Sequence, residues 1–156
     1  PMRSRKPLTV KGHVSHIDMV PTLLDLMQRS EREDLPGRSL VPYLGGKRRQ
    51  LSPVYVEWNA PLEMADGRNP AGRNRNPNLP DGPSSRAIIT QDGWKLCIHT
   101  SDRNQLFHIA KDPGEKENLY TRTENMPRIR RMEKQLLAWQ KIVHDDLSLP
   151  PPEGSA

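Results

Sequence analysis

The stretch QLFHIAKDPGEKENL, residues 105–119, decides the fold that we expect for this chain. Its first five residues are a short β-prone run, which predicts a strand. Asp112 and Pro113 predict a rigid turn after it, because proline fixes its own φ and restricts the residue before it. Gly114 is expected to allow tight or left-handed geometry, and Glu115 and Asn118 to bond the loop backbone through their side chains.

Two further β-prone runs precede this strand and predict a hairpin. Residues 87–90 and residues 94–99 flank a short segment that contains Asp92 and Gly93. An Asp-Gly pair between such runs is a strong hairpin signal, because glycine accepts the positive φ that a tight turn needs. The hairpin and the strand at residue 105 together predict a three-stranded meander.

An alternating segment farther upstream predicts a fourth strand. Val54, Val56 and Trp58 alternate with Tyr55 and Glu57, which is the period of a half-buried strand. We expect this strand to join the other three in a small antiparallel four-stranded sheet.

A long amphipathic helix is predicted downstream of the sheet, over residues 126–147. Apolar side chains recur at helical spacing along one face of it, at Met126, Ile129, Met132, Leu136, Trp139 and Val143. Asn125 or Thr123 is expected to cap the first turn. The prolines at 150–152 should end the helix and leave residues 150–156 as a disordered tail. Packed on one face of the sheet, this helix gives an α+β fold.

The first part of the chain predicts a shorter helix that starts near Pro21, where proline fits the first turn. Ser15 and Asp18 form a plausible capping box just before it. Apolar residues recur at spacings of three and four, so that one helical face is apolar: Ile17, Val20, Leu23, Leu24 and Met27. A short helical turn is expected near residues 39–44.

Composition excludes several classes of function. The chain has 156 residues, a net charge of +5 and one cysteine, Cys97, so no disulfide can form within it and no zinc site can be built from cysteines. No apolar run is long enough to span a membrane. No Lys/Arg array interleaved with aromatic residues suggests single-stranded nucleic acid as a partner, although the charge could attract an anionic polymer.

Four segments, in order along the chain, resemble the C-terminal region of the formylglycine-dependent (type I) sulfatases of the alkaline phosphatase superfamily, with a likeness to N-sulphoglucosamine sulphohydrolases. The most specific is the deciding stretch, where Asp112-Pro113-Gly114-Glu115 and Asn118-Leu119 match the family signature in type and spacing. Gln105, Phe107 and His108 depart from its commoner residues. The other three are residues 14–26, residues 36–44 and the hairpin segment 86–96.

The resemblance implies that residues 1–46 are the end of a large α/β domain and that residues 47–149 form a C-terminal subdomain. It also implies that the catalytic residues, a calcium ion and the formylglycine made from a Cys/Ser-x-Pro-x-Arg motif all belong to an upstream catalytic domain, which would be this segment's partner. No catalytic residue and no metal ligand is assigned here, and Cys97 is expected to be a small core residue. The chain is expected to begin in the middle of its protein, so the compartment stays open.

The resemblance also suggests a way for this segment to reach substrate, since loops of the small sheet can edge the catalytic cleft in the family. A long insertion, residues 59–85, carries three arginines, and guanidinium groups bind sulfate bidentately. The candidate substrate-binding residues are Trp58, Asn59, Arg68, Arg73 and Arg75, and the expected ligand is a sulfated small molecule or carbohydrate. The alternative is a mobile, solvated loop.

Three hypotheses for function follow. The parent protein is a sulfuric ester hydrolase, and this segment alone is inactive. Alternatively, the parent is a related hydrolase of phosphonate or phosphate esters, because the two groups share much of the downstream architecture. Finally, the chain could be a stand-alone basic module that binds anionic polymers.

Overall fold

The computed structural model describes residues 9–10, 12–29, 34–44, 51–59 and 83–150. The chain divides into two compact units, Pro1–Val54 and Tyr55–Ala156. The assignment of residues 1–46 to a larger α/β domain stays a prediction. No helix among the described residues is both long enough and apolar enough to cross a membrane.

The first unit contains a 3-10 turn, His16–Asp18, followed by helix α1, Met19–Leu26, and the short helix α2, Val41–Leu44. The predicted capping contact is present, because the Ser15 N–H donates to Asp18 Oδ2 at 3.1 Å. The helix begins two residues before Pro21, which lies in its first turn where no backbone donor is needed.

Side chains of this unit hold the segment that leads to α2. Asp18 Oδ1 accepts the N–H of Arg38 at 3.0 Å, and Thr22 Oγ1 accepts the N–H of Leu40 at 2.9 Å. Just before Arg38 lies Gly37, where a Cβ would sit 2.0 Å from the carbonyl oxygen of Ile17. Only glycine fits this close approach of two backbone segments.

The apolar face of α1 is not covered by the rest of the first unit. Pro21 is the one buried residue among the described residues of this unit. The large apolar side chains along and beside α1 are each at least two-fifths exposed: Val10, Val14, Ile17, Met19, Val20, Leu23, Leu26 and Met27. Of the helical face predicted from the spacing, Ile17, Val20, Leu23 and Met27 therefore face outward in this unit, and Leu24 is half-buried.

The second unit contains the four-stranded antiparallel sheet that the sequence predicts. Its strands are β1, Val54–Asn59; β2, Ser84–Ile89; β3, Trp94–His99; and β4, Gln105–His108. They follow chain order across the sheet, and the register places Ile88 beside Leu96 and Leu96 beside Leu106. Strand β1 includes Asn59, and strand β2 includes Ser84 and Ser85, so the segment between the two strands is shorter than the predicted insertion, residues 59–85.

The hairpin turn between β2 and β3 has the conformation that Asp92-Gly93 predicts. Gly93 has φ +85°, and its N–H donates to the carbonyl of Thr90 at 3.0 Å. A residue with a side chain would be strained at this φ, so glycine fixes the turn here.

Helix α3, Met126–Val143, follows a 3-10 turn, Thr123–Asn125, and is four residues shorter than predicted. It ends because His144 takes the left-handed conformation with φ 56°, which lets the N–H of Asp145 donate to Gln140 O at 2.9 Å. The predicted side-chain cap is wrong as well. The Asn125 amide instead donates back to the Leu119 carbonyl, at 3.1 Å, and no cap hydrogen bond forms.

The core lies between the sheet and α3. Its buried members come from three strands, the helix and the segment between them: Ile88, Leu96, Ile98, Leu106, Tyr120, Ile129, Met132 and Leu136. Tyr55 of β1 packs against this cluster and stacks on Trp139 with ring centroids 4.8 Å apart. Strand β1 therefore turns Tyr55 toward the helix, and Val56 and Trp58 are 45% and 52% exposed.

The deciding stretch is ordered by carboxylate and amide side chains. Asn118 bonds the backbone as predicted, since its Oδ1 accepts the N–H groups of Leu106 and Tyr120, both at 3.0 Å. Asp112 Oδ2 accepts the N–H groups of residues 116 and 117 in the loop, at 2.8 and 3.0 Å.

The prediction for Gly114 is confirmed in its tight form, because the N–H of Glu115 donates to the carbonyl of Asp112 at 3.1 Å and closes a turn over Pro113 and Gly114. The prediction for Glu115 is wrong. The left-handed residue is Glu115, with φ 50°, and Gly114 does not have positive φ. The Glu115 carboxylate bonds no backbone group and contacts Lys95 Nζ at 2.7 Å instead. The physical reason is that Lys95 of β3 offers the carboxylate a charged partner, its ammonium group, which the loop backbone lacks.

Candidate functional site

The predicted substrate-binding residues divide into two groups in the structure. Trp58 and Asn59 are the last residues of β1, at the point where the chain leaves the sheet, and both are exposed. Arg68, Arg73 and Arg75 lie outside the described residues. Of the candidate site, the structure therefore describes the end of β1.

A buried arginine on the neighbouring strand fixes the end of β1. Arg86 of β2 is 2% exposed, and its Nη1 donates to Asn59 Oδ1 at 2.8 Å and to the carbonyl of Trp58 at 3.4 Å. The same nitrogen donates to the carbonyl of Ser85 at 2.9 Å. These bonds fix the backbone and one side chain at the start of the 60–82 segment.

The opposite edge of the same guanidinium binds a carboxylate that follows α3. Arg86 Nε donates to Asp145 Oδ2 at 2.7 Å, and Nη2 donates to Oδ1 at 2.9 Å, so the pair is bidentate. Side-chain exposure is only 2% and 10% for the two partners. The hydrogen bonds from Arg86 hold the pKa of Asp145 below its ordinary value, although burial acts in the opposite direction.

Gln140 completes what we call the Arg86 clamp, which consists of Arg86, Asp145, Gln140 and Asn59. Gln140 is 4% exposed, and its Nε2 donates to Asp145 Oδ2 at 2.7 Å and to the carbonyl of Leu147 at 3.0 Å. The clamp joins the end of β1, the start of β2 and the end of α3. Because all three nitrogens of Arg86 have protein acceptors, this arginine positions the strand end rather than binding an anion.

The clamp was not predicted from the sequence. One signal was available, because Arg86 lies two residues before Ile88 on the same face of β2 and therefore had to be buried with the core. A buried charge needs a partner. Which carboxylate would serve could not be read from the sequence, since Asp145 is 59 residues away.

A second polar cluster lies near the hairpin turn. The Arg128 guanidinium lies 4.3 Å from the ring centroid of Trp94, and its Nη1 donates to Asp92 Oδ2 at 2.9 Å. The His108 ring also packs against Trp94, in a tilted orientation with the ring centroids 4.6 Å apart. A hydrogen bond from the Thr90 hydroxyl, with a smaller contribution from Arg128, holds the pKa of Asp92 below its ordinary value. The cluster joins α3 to the hairpin and leaves the Arg128 charge compensated.

The described residues do not form a catalytic or metal-binding constellation. Among them, no group of three His, Cys, Asp or Glu side chains could hold a metal ion. Cys97 is 8% exposed in β3, and burial raises the pKa of its thiol, which keeps it protonated near neutral pH. What the described part of the chain offers is a strand end held in a fixed position, with an exposed indole beside it.

No family model matches the sequence, and no curated protein matches it. Solved structures do match the fold. A putative sulfatase from Bacteroides thetaiotaomicron is 21% identical over 87% of this chain, with a TM-score of 0.63. A protein in complex with its substrate D-glucosamine-2-N,6-O-disulfate is 21% identical over 89%, with a TM-score of 0.61.

A phosphonate monoester hydrolase from Agrobacterium radiobacter is 19% identical over 81% of the chain, with a TM-score of 0.59. The chain spans only about a quarter of the length of each of these three proteins, 24–27%, and corresponds to their C-terminal portion. At these identities the likeness establishes a shared fold.

Proposed function

We propose that this chain is the C-terminal part of a sulfatase, an enzyme that hydrolyses sulfate esters, and that its substrates are sulfated carbohydrates. The observation that carries the proposal is the shared fold, which covers 87% of the chain in the match to the putative sulfatase and includes both units. The four segments of the sequence that resemble sulfatases support the same conclusion, because they lie along this chain in the order in which they occur in that family.

The uncovered face of α1 supports the presence of a further domain. Large apolar side chains such as Val20, Leu23 and Met27 are 52%, 53% and 61% exposed. A helix face of this kind is normally buried against another layer of structure. In this proposal an upstream catalytic domain of the same protein supplies that layer and is the partner of this segment.

The segment itself is structural and edges the catalytic cleft. Trp58 and Asn59 are the described residues closest to substrate in this proposal, since the Arg86 clamp fixes them where the chain leaves the sheet. Arg68, Arg73 and Arg75 would bind the sulfate or carboxylate groups of a sulfated sugar. The sugar substrate of one structural neighbour, D-glucosamine-2-N,6-O-disulfate, is consistent with this class of ligand.

Calcium and formylglycine belong to the proposed upstream domain. The described residues of this chain do not fit a calcium site, because no cluster of three acidic or histidine side chains is present among them. Cys97 is followed by Ile98 and His99 rather than by a Pro-x-Arg sequence, so it does not fit the formylglycine motif. The isolated segment is therefore expected to be inactive.

The test is an assay of the full-length protein on two matched esters. We expect a larger kcat/KM for 4-nitrophenyl sulfate than for 4-nitrophenyl phenylphosphonate, and no turnover of either by residues 1–156 alone. Preference for the phosphonate would favour the second hypothesis, a phosphonate or phosphate ester hydrolase. That hypothesis is supported by the phosphonate monoester hydrolase fold, which matches 81% of the chain.

The third hypothesis, a stand-alone basic module, has one supporting observation, the net charge of +5. It requires that residues 1–156 fold and bind heparin without any further domain. Loss of heparin binding on replacing Arg68, Arg73 and Arg75 in the isolated chain would favour it. Failure of residues 1–156 to fold in isolation would contradict it.

A further inference from the structure

Helix α3 carries most of its charge as cations. Its sequence contains five basic residues and a single acid, Glu133. The buried face of the helix consists of Ile129, Met132, Leu136 and Gln140. The basic residues must therefore be distributed over the sides and the outer face of the helix.

Three of these cations form a stripe on the outer face. Arg130, Lys134 and Lys141 are separated by four and seven residues, which places them one above another on a helix. All three are exposed. The stripe is about 16 Å long at 1.5 Å per residue. Arg131 lies beside it and is exposed as well.

The charges of this stripe are not compensated within the part of the chain that the structure describes. Arg130, Lys134 and Lys141 have no ion pair or side-chain hydrogen bond with any described residue. Arg128 differs, because it forms an ion pair with Asp92 and lies over the Trp94 ring. Arg130 and Lys134 form a like-charged pair four residues apart, which destabilises a helix unless an anion is near.

We propose that the outer face of α3 binds a sulfated polysaccharide chain along the stripe of Arg130, Lys134 and Lys141. A linear polyanion matches a linear row of cations, and its sulfate groups accept hydrogen bonds from the guanidinium and ammonium groups. This inference rests on the proposed function, because it assigns to the parent enzyme a polymeric rather than a small sulfated substrate.

The side chains between the cations favour a polysaccharide over a single-stranded nucleic acid. The exposed helical residues three or four positions from these cations are Pro127, Arg131, Leu137 and Ala138, none of them aromatic. Proteins that bind single strands combine basic grooves with aromatic side chains on which the bases stack. The outer face of α3 provides charge and an apolar surface but no stacking platform.

The test is heparin-affinity elution of the full-length protein and two charge-matched variants. Lys134→Glu/Lys141→Glu reverses two cations of the stripe, and Lys111→Glu/Lys116→Glu reverses two exposed cations in the loop after β4. Both variants change the net charge equally. We expect the stripe variant to elute at much lower salt, and the slope of log K against log salt to decrease in magnitude by roughly 2. The loop variant should elute like the wild type.

Equal decreases in both variants would show a net-charge effect and overturn the proposal, as would no decrease in the stripe variant. Tighter binding of a single-stranded DNA of similar charge would also overturn it. Hydrolysis of 4-nitrophenyl sulfate by the same three proteins separates this inference from the proposed function. Unchanged turnover with weakened heparin binding supports both, whereas weakened binding in an enzyme that lacks sulfatase activity supports the stripe alone.

Discussion

The two compact units of this chain differ in what covers their apolar surface. In the second unit, residues such as Ile88, Leu96 and Leu136 are 0% exposed between the sheet and α3. In the first unit, the large apolar side chains of α1 are about half exposed, and Pro21 is the one buried residue among those described. The second unit therefore has two layers of structure around a core, whereas the first has an amphipathic helix without an opposing layer.

The two halves of the chain therefore obtain their stability from different sources. A sheet and a helix that bury each other's apolar faces provide a free energy of folding from within the unit. An isolated helix as short as α1 is marginal in water, and most helical stability in proteins comes from the packing of an apolar face. The first unit is thus expected to depend on a surface that its own described residues do not supply.

Separating the units should give the largest effect. We expect residues 51–156, which include all of β1, to unfold cooperatively in urea and to protect the amides of β2, β3 and β4 from hydrogen exchange. Residues 1–50 should show neither a transition nor protected amides. A cooperative transition in the 1–50 fragment would contradict this expectation, since it would show that this part of the chain makes its own core.

Arg86→Met removes the charge at the centre of the Arg86 clamp and leaves Asp145 with an uncompensated, nearly buried charge. We expect this substitution to lower the free energy of unfolding of the second unit by about 3–5 kcal/mol. Urea denaturation of residues 51–156 measures the loss. Arg122→Met is the matched control, since Arg122 pairs with Glu117 but is 48% exposed. The control should lose less than about 1 kcal/mol.

Two adjacent leucines of α3 differ in the same way, one buried and the other exposed. Leu136 is 0% exposed and Leu137 is 44% exposed. Leu136→Ala leaves a cavity in the core and should lower the free energy of unfolding by about 2–5 kcal/mol. Leu137→Ala should change it by less than about 0.5 kcal/mol. Equal losses in the two variants would show that the outer face of the helix is covered.

The parts of the fold that could be predicted from the sequence are those with local causes. Asp92 and Gly93 fix the hairpin because one residue must take positive φ, and the 3.6-residue period of Ile129, Met132 and Leu136 identifies the buried face of α3. Such signals depend on neighbours within a few positions, so a sequence pattern contains them.

The parts that could not be predicted depend on contacts between distant residues. The end of α3 was placed too late because Asp145 leaves the helix to pair with Arg86, 59 positions upstream. Glu115 was assigned to the loop backbone, but it pairs with Lys95, 20 positions away. Asn59 was named as a candidate substrate-binding residue, but the arginine that bonds it, 27 positions away, was not identified, for the same reason.

The pH dependence of the Arg86 clamp should give the smallest effect, and only under acidic conditions. Bonds from Arg86 and Gln140, with the N–H of Leu147, hold the pKa of Asp145 below its ordinary value of about 3.9 in the native state. A lowered native-state pKa contributes stability that is present above the unfolded-state pKa. That contribution is lost as the pH falls through the native-state pKa.

The double variant Arg86→Met/Asp145→Leu removes this titration, because replacing both partners of a buried pair by apolar residues leaves no unpaired charge. The free energy of unfolding of the wild type, minus that of the double variant, should be constant above about pH 5 and decrease as the pH falls below about 4. Asp92, whose pKa is also lowered, is present in both proteins, so its contribution cancels in the difference. The measurement is urea denaturation of both proteins from pH 7 to pH 3. If their free energies of unfolding change in parallel over this range, the clamp does not hold Asp145 ionised, and the carboxylate would then have to lie outside the buried pair.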